Sequence, residues 1–314
     1  MISLIGGIFL GWSLGANDAA NVFGSAVSSR MVKFWTAAIL AASFVLIGAL
    51  IGGQAGIETL QGLTNFTYHQ AVIASIAAAC TVTIMTLFGL PVSTSQAVVG
   101  AILAVGILNR QLDIAGLGKV VTCWVGTPVG GMVIGIMVYK VLAAIANRMN
   151  LNLFQADMVL RLCLIAAGSY GAYALGANNV ANVTAVFVGA GMLNIFSAAL
   201  IGGVSIGLGI LTFSRKVMET VGKKLVKLDP FSALVVILAE AITVHIYALV
   251  GVPVSTSQAV IGAVLGVGII KGVNTIQRRT LVNIFLAWVI TPLVASIFAL
   301  SLDFVTHLRY IPGH

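Results

Sequence analysis

Hydrophobic residues along this chain fall in long runs, at about 2–28, 35–53, 69–89, 91–108, 117–145, 160–188, 192–213, 231–250, 253–270 and 280–302. A helix needs roughly 20 apolar residues to cross a hydrocarbon core about 30 Å thick, and most of the runs are near that length. None alternates apolar and polar residues with period two, so the pattern predicts helices rather than the strands of a membrane barrel. Composition agrees: 60% of the 314 residues are hydrophobic and 8% charged, whereas soluble domains carry about 25% charged residues. An all-α polytopic membrane protein is expected. The first run lacks a basic leader and is interrupted by Asn17 and Asp18, so it is read as part of the mature chain.

The chain repeats itself. Leu14-Gly15-Ala16-Asn17 recurs as Leu175-Gly176-Ala177-Asn178, and Ala20-Asn21-Val22 as Ala181-Asn182-Val183. The eight residues from Pro91 to Val98, Pro-Val-Ser-Thr-Ser-Gln-Ala-Val, recur unchanged from Pro253 to Val260, and Trp124, Thr127 and Pro128 answer to Trp288, Thr291 and Pro292. A duplication follows, with halves 1–152 and 153–314 forming one membrane domain. Loop charges indicate how the halves insert. Residues 214–229 carry Arg215, Lys216, Lys223, Lys224 and Lys227, while the corresponding loop 52–68 has no Lys or Arg and carries Glu58. Arg30 and Lys33 follow the first run, and the matching turn near 190–195 is uncharged. By the positive-inside bias the halves lie in opposite directions, with the basic 140–161 linker inside and both chain ends outside. Arg110 and Lys119 run against that assignment. The net charge of +8 is read as the same loop bias, and no nucleic-acid partner is expected. Cys80, Cys123 and Cys163 stand apart without metal-ligand spacing, so neither a disulfide nor structural zinc is expected.

Polar residues inside apolar runs carry the chemistry. The stretch Gly15-Ala16-Asn17-Asp18-Ala19-Ala20-Asn21 and its copy through Asn178, Asn179 and Asn182 bring amide and carboxylate oxygens to membrane depth, where Asp costs about 2.5–3.5 kcal/mol. The Gly-rich motif predicts a break in the helix that frees backbone to line a cavity. Such hard oxygens suit Na⁺ or a proton; the bland reading is that the Asn side chains bridge helices. In the second motif, Pro91 is expected in the first turn of a helix, with Ser93, Thr94 and Ser95 capping it. Free N–H groups and the positive dipole end then make an anion site, to which Gln96 adds an amide. Its copy, Ser255, Thr256, Ser257 and Gln258, doubles that site across a pseudo-two-fold, where ordinary capping is the alternative for one copy alone.

These motifs are similar to those of the inorganic phosphate transporter (PiT) family of cation-coupled symporters, and the resemblance spans both halves. It implies inverted-topology repeats with broken helices and helical hairpins meeting near the bilayer midplane, and uptake of inorganic phosphate driven by Na⁺, or in some members by H⁺. It assigns phosphate to Ser93, Thr94, Ser95, Gln96, Ser255, Thr256, Ser257, Gln258, Asn17 and Asn178. Na⁺ is assigned to Asp18, Asn21, Asn179 and Asn182, with Asn17, Asn178, Gln96 and Gln258. No cofactor beyond the co-transported Na⁺ is implied. A multi-pass location in the cell (inner or plasma) membrane and a homodimer in the bilayer are. Two positions depart from the family: Asn179, where relatives commonly carry Asp, and Val45, where many carry Glu. The large cytoplasmic loop of animal relatives is also absent, leaving 214–229.

Glu240 and His245 precede the second Pro-Val-Ser-Thr-Ser-Gln run, and their counterparts are Ala78 and Thr83. Glu240 is read as lying near the cytoplasmic end of its helix, or else as a further cation ligand. His245 is read as a packed, hydrogen-bonded residue rather than a proton relay, and Lys223, Lys224 and Lys227 as facing lipid headgroups. Whether 69–108 and 231–270 cross the membrane or re-enter stays open. An enzyme lacks a nucleophile–base pair, a ligand cluster or a nucleotide loop. An anion channel lacks pore rings, and a proton-coupled phosphate or sulfate permease is the nearer alternative. Moving a dianion inward against about 100 mV costs roughly 4.6 kcal/mol, which at least two co-moving cations cancel.

Overall fold

The computed structural model describes residues 4–87, 92–224, 228–272 and 278–309. Among them are eleven helices and no strand: α1 (Ile5–Ser28), α2 (Phe34–Gly52), α3 (Gln54–Gln61), α4 (Tyr68–Leu87), α5 (Thr94–Asn109), α6 (Ile114–Ala146), α7 (Leu153–Gly189), α8 (Ile195–Lys224), α9 (Pro230–Val250), α10 (Thr256–Lys271) and α11 (Arg278–Arg309). Seven are long and apolar enough to cross a membrane, and the rims of the bundle expose large apolar residues such as Val125, Phe196 and Val289. The protein is a multi-pass membrane protein. Polar residues start the helices. Asn152 and Gln155 form a reciprocal capping box at α7, Asp113 caps α6, and Asp229 with Pro230 opens α9.

The repeat is visible as inversion. Gly7 and Gly11 of α1 lie against Phe187 and Val183, while Val22 and Phe23 lie against Gly171 and Gly168. Rising numbers on α1 meet falling numbers on α7, so these equivalent helices run antiparallel. Each half also leans on the other. A Cβ at Gly15 would run into the carbonyl oxygen of Ile206 on α8, and one at the equivalent Gly176 into that of Val45 on α2. Gly209 and Gly48 make the same approach to the carbonyls of Trp12 and Tyr173. Without a hydrophobic drive between helices in lipid, such close backbone contact is what holds them together.

Breaks in the helices fall elsewhere than the Gly-rich motif predicted. α1 and α7 run unbroken through Asn17–Asn21 and Asn178–Asn182. Each motif has a single Gly flanked by Ala, a strong helix former, and that Gly serves packing rather than unwinding. The chain instead breaks between α2 and α3 at Gly53 and at the segments leading into α5 and α10.

α4–α5 and α9–α10 are hairpins whose two ends lie together. Asn109 donates to the carbonyl of Asn65 at 2.7 Å and accepts from Gln70 at 2.7 Å, tying the end of α5 to the start of α4. Lys271 pairs with Asp229 and donates to Ser232 at 2.9 Å, tying the end of α10 to the start of α9. The first base packs beside Phe66 and Gly189 at the end of α7, the second with Met31 and Val32 beyond the end of α1. Because α1 and α7 are antiparallel, the hairpins enter from opposite ends of the bundle, and both return. With 16 residues each, α5 and α10 are about 24 Å long, short of a full hydrocarbon span.

The Asp229–Lys271 pair lies outside the spans. Burial raises the Asp229 pKa, but the hydrogen bond and charge of Lys271, with Ser232, outweigh it and leave it at about 2. A carboxylate held below its ordinary value stabilises the fold fully above about pH 4, and the effect fades as pH falls through about 2. Asp229→Asn is therefore expected to lower the melting temperature in detergent slightly at neutral pH, by about 0.5 kcal/mol for so exposed a pair. Variant and parent should converge in strong acid.

Candidate functional site

The two hairpin tips meet between α1 and α7. Ser93 caps α5 by accepting from the Gln96 amide at 3.3 Å, and Ser255 caps α10 through Gln258 at 3.4 Å. Pro253 is not in the first turn of its helix, where the motif was expected to put it. Pro253 stands two residues ahead of the capping Ser255, in the non-helical approach to α10, and Pro91 lies outside the described residues. The first amides of each helix, at Thr94 and Ser95 and at Thr256 and Ser257, have no acceptor within the helix. Both N-termini thus open on one buried space, joined by the Ser95 hydroxyl, which donates to the Val254 carbonyl at 3.0 Å.

Helices α1 and α7 supply the other walls, and they do so crosswise. Asn21, from the first half, donates to Thr256 Oγ1 at 3.1 Å and to Ser257 Oγ at 3.5 Å on the second hairpin. Its equivalent Asn182 donates to Ser95 Oγ at 2.9 Å on the first. Asn residues four apart, or Asp18 and Asn21 three apart, share a helix face, which is why an unbroken helix can present them all inward. Asp18 ties the halves together, accepting from Thr256 at 3.3 Å, Asn179 at 3.4 Å and Asn17 at 3.1 Å. Among the motif residues it is the only carboxylate.

The pseudo-two-fold is broken in one respect. Asn178 holds both backbone groups of Val254, accepting from its N–H at 2.9 Å and donating to its carbonyl at 2.8 Å. Both Asn side chains donate to the next residue, Asn178 to Asn179 at 3.0 Å and Asn17 to Asp18 at 3.1 Å, but among the described residues Asn17 makes no matching pair of backbone bonds. Accordingly Asn178, Asn182 and Ser95 are 1–2% exposed, while Asn17, Asn21 and Ser257 are half-buried.

Several oxygens here lack a donor. Thr94 Oγ1, Gln96 Oε1, Gln258 Oε1 and Asn182 Oδ1 are buried without a hydrogen-bond partner. Buried acceptors are normally satisfied. A group of them around one carboxylate is suited to a cation that needs several neutral oxygens, or to an anion that keeps a proton to donate. Hydrogen bonds link Asn17, Asp18, Asn21, Ser95, Asn178, Asn179, Asn182, Thr256 and Ser257 from the two motifs and their copies into one group. The side chains of Lys223 and Lys224, and Lys227 itself, lie outside the described residues.

The sequence profile described as the phosphate transporter family matches this chain twice, over residues 14–156 and 146–299. The chain belongs to the phosphate transporter family. Its members are transporters, not enzymes. Among relatives of this transporter, one named sulfate permease CysP, from Bacillus subtilis, is 29% identical over 94% of this chain and 84% of its own length. A solved structure titled "The sodium-dependent phosphate transporter" superposes with a TM-score of 0.89 at 25% identity, covering 98% of each chain.

Outside the repeats, one residue sits differently from its sequence reading. Glu240 is not near a helix end: it is ten residues from both Pro230 and Val250, the limits of α9, and wholly buried. An apolar run does not show how deep within it a charge lies; the helix limits do. His245 is packed as expected, its Nδ1 2.8 Å from the Tyr170 hydroxyl and its ring edge-on to Tyr170 and Tyr173. The Val254 backbone, held by both Ser95 and Asn178, had no signal in the sequence, since any residue offers those groups.

Proposed function

We propose that this transporter carries inorganic phosphate into the cell by symport with Na⁺. The observation that supports this reading is the set of buried, unpartnered oxygens of Gln96, Gln258, Asn182 and Thr94, together with the buried Asp18 carboxylate bonded to Thr256 and Asn179, at two helix N-termini whose tips touch. The N-termini and the Ser and Thr hydroxyls suit an oxyanion. The carboxylate with neutral oxygens suits a metal ion needing several ligands better than a proton needing one base. Asn17, Asn21, Asn178 and Asn179 complete the ligand set. Labelled-phosphate uptake into proteoliposomes, with Na⁺ and H⁺ gradients imposed separately, tests it. Uptake should follow the Na⁺ gradient; uptake driven fully by a pH gradient in Na⁺-free buffer refutes the sodium assignment.

Sulfate is the second reading, because a relative carries that name. Near neutral pH phosphate keeps an O–H to donate and sulfate does not. A buried acceptor left unpaired by the wrong anion rejects it by as much as about 10⁴–10⁵. Sulfate is expected to compete poorly; competition equal to unlabelled phosphate would reverse the assignment.

Gln96→Ala and Gln258→Ala are each expected to weaken Na⁺-driven uptake about tenfold, as loss of one neutral ligand worth about 1.4 kcal/mol. Normal uptake by either variant would end the shared-site reading. Orientation belongs to the same proposal, with both chain ends outside and the halves dividing near 152. Gln61 lies against Gly189 at the end of α7, and Lys224 ends α8, which runs parallel to α1. A Cys at Gln61 should label from outside and one at Lys224 from inside. The homodimer implied by family resemblance is checked by the mass of the detergent-solubilised particle.

A further inference from the structure

Glu240 is a buried carboxylate that the repeated site leaves unused. It is 0% exposed at the centre of α9, and neither Oε1 nor Oε2 has a hydrogen-bond partner. Oε2 lies over Gly171 of α7, where a Cβ would come within 3.5 Å of it and 2.9 Å of Val22 on α1. Gly171 is the gap into which the carboxylate fits. Among the described residues no group of three His, Cys, Asp or Glu gathers anywhere.

An ionised carboxylate in such surroundings has lost its water and gained no donor, which is costly at membrane depth. A metal ion would relieve it only with several further oxygens. A proton needs the carboxylate alone. Among the described residues the titratable groups that bear on Glu240 are Asp18 from α1 and Tyr170 from α7. Tyr170 precedes Gly171, and its hydroxyl is 2.8 Å from Nδ1 of His245, which is half-buried on α9.

We propose that Glu240 is a proton-binding site, loaded and emptied during the transport cycle. In one state of the cycle Glu240 takes a proton from water and becomes the carboxylic acid, and in the other it returns that proton to water and is left as the carboxylate. The inference rests on the chain being an ion-coupled carrier, not on which anion it moves or on Na⁺ at the motif site.

Infrared difference spectroscopy of the purified full chain reads the proton directly, whatever the anion. The parent should show a protonated-carboxyl band that disappears as pH rises, missing from Glu240→Gln and retained in Glu240→Asp. In proteoliposomes, Glu240→Gln should keep anion exchange while net uptake loses its dependence on pH. A band unchanged in Glu240→Gln overturns the site. So does a Glu240→Gln variant with the parental pH profile, or one whose Na⁺ half-saturation moves while the pH profile stays. Sulfate transport, or a pH gradient alone driving phosphate, would overturn the preceding assignment and leave the Glu240 band where this one places it.

Discussion

Asp18→Asn is expected to remove nearly all gradient-driven uptake. The side chain is buried, at 4% exposure, and its oxygens gather donors from both halves, Asn17 on one side and Asn179 and Thr256 on the other. Those three donors are amides and a hydroxyl, so they orient the charge without neutralising it, which in the proposed function is the role of Na⁺. Replacing the carboxylate by an amide takes away the one formal charge among the motif residues. It also turns an N–H₂ toward donors already in place. Removing one partner of a buried charge interaction costs about 3 kcal/mol, roughly a hundredfold in cation affinity. Initial rates of Na⁺-driven phosphate uptake against Na⁺ concentration measure it. Rates within a factor of two of the parent would show that Asp18 is a structural bridge only. Because Asn179 donates to Asp18 across the pseudo-two-fold, moving the charge makes a sharper test. Asn179→Asp in the Asp18→Asn background should recover part of the uptake, since the carboxylate returns to the same space from the other half. Asn179→Asp alone should change Na⁺ affinity or coupling while keeping some transport.

The second large effect is on the fold. Gly176→Ala and Gly15→Ala each place a methyl where a backbone carbonyl of the neighbouring helix already stands, that of Val45 or that of Ile206. A backbone atom cannot rotate away, so the helices must separate. Ala is intrinsically about 1 kcal/mol better than Gly inside a helix, and overpacking costs about 1–3 kcal/mol or more. With the obstruction on the main chain the penalty wins. Both variants should melt several degrees lower in detergent and yield less folded protein. Gly118→Ala on α6 is the control: nothing lies within 4 Å of a Cβ there, so it should melt at the parental temperature or slightly above. A Gly176→Ala variant as stable as that control would mean the α2–α7 contact is looser than described.

Much was legible in the sequence, for two physical reasons. Lipid leaves a helix few options, so the apolar runs marked ten of the eleven helices, missing only the eight-residue α3. Duplication marked the site, because polar residues are costly at membrane depth and random change does not keep them twice. That is why Asn17, Asp18, Asn21, Ser93 to Gln96 and their copies could be named as one constellation before any fold was known. Inversion, too, could be read from Lys and Arg in loops.

What only tertiary structure decided concerns backbone and depth. Whether Gly15 and Gly176 unwind a helix or admit a neighbour depends on what stands opposite, and Ile206 and Val45 lie far off in sequence. Whether 69–108 and 231–270 cross or return depends on closure of the hairpin bases by Asn65 with Asn109 and by Asp229 with Lys271. The exchange in which Asn21 meets the second hairpin and Asn182 the first needs α1 and α7 set antiparallel. The unequal roles of Asn17 and Asn178, identical in their motifs, arise from the one Val254 backbone that a single Asn holds. Glu240 belongs here as well. The sequence places it in an apolar run, but its lack of any partner is a property of the packed bundle, where burial removes water and only neighbouring helices can replace it.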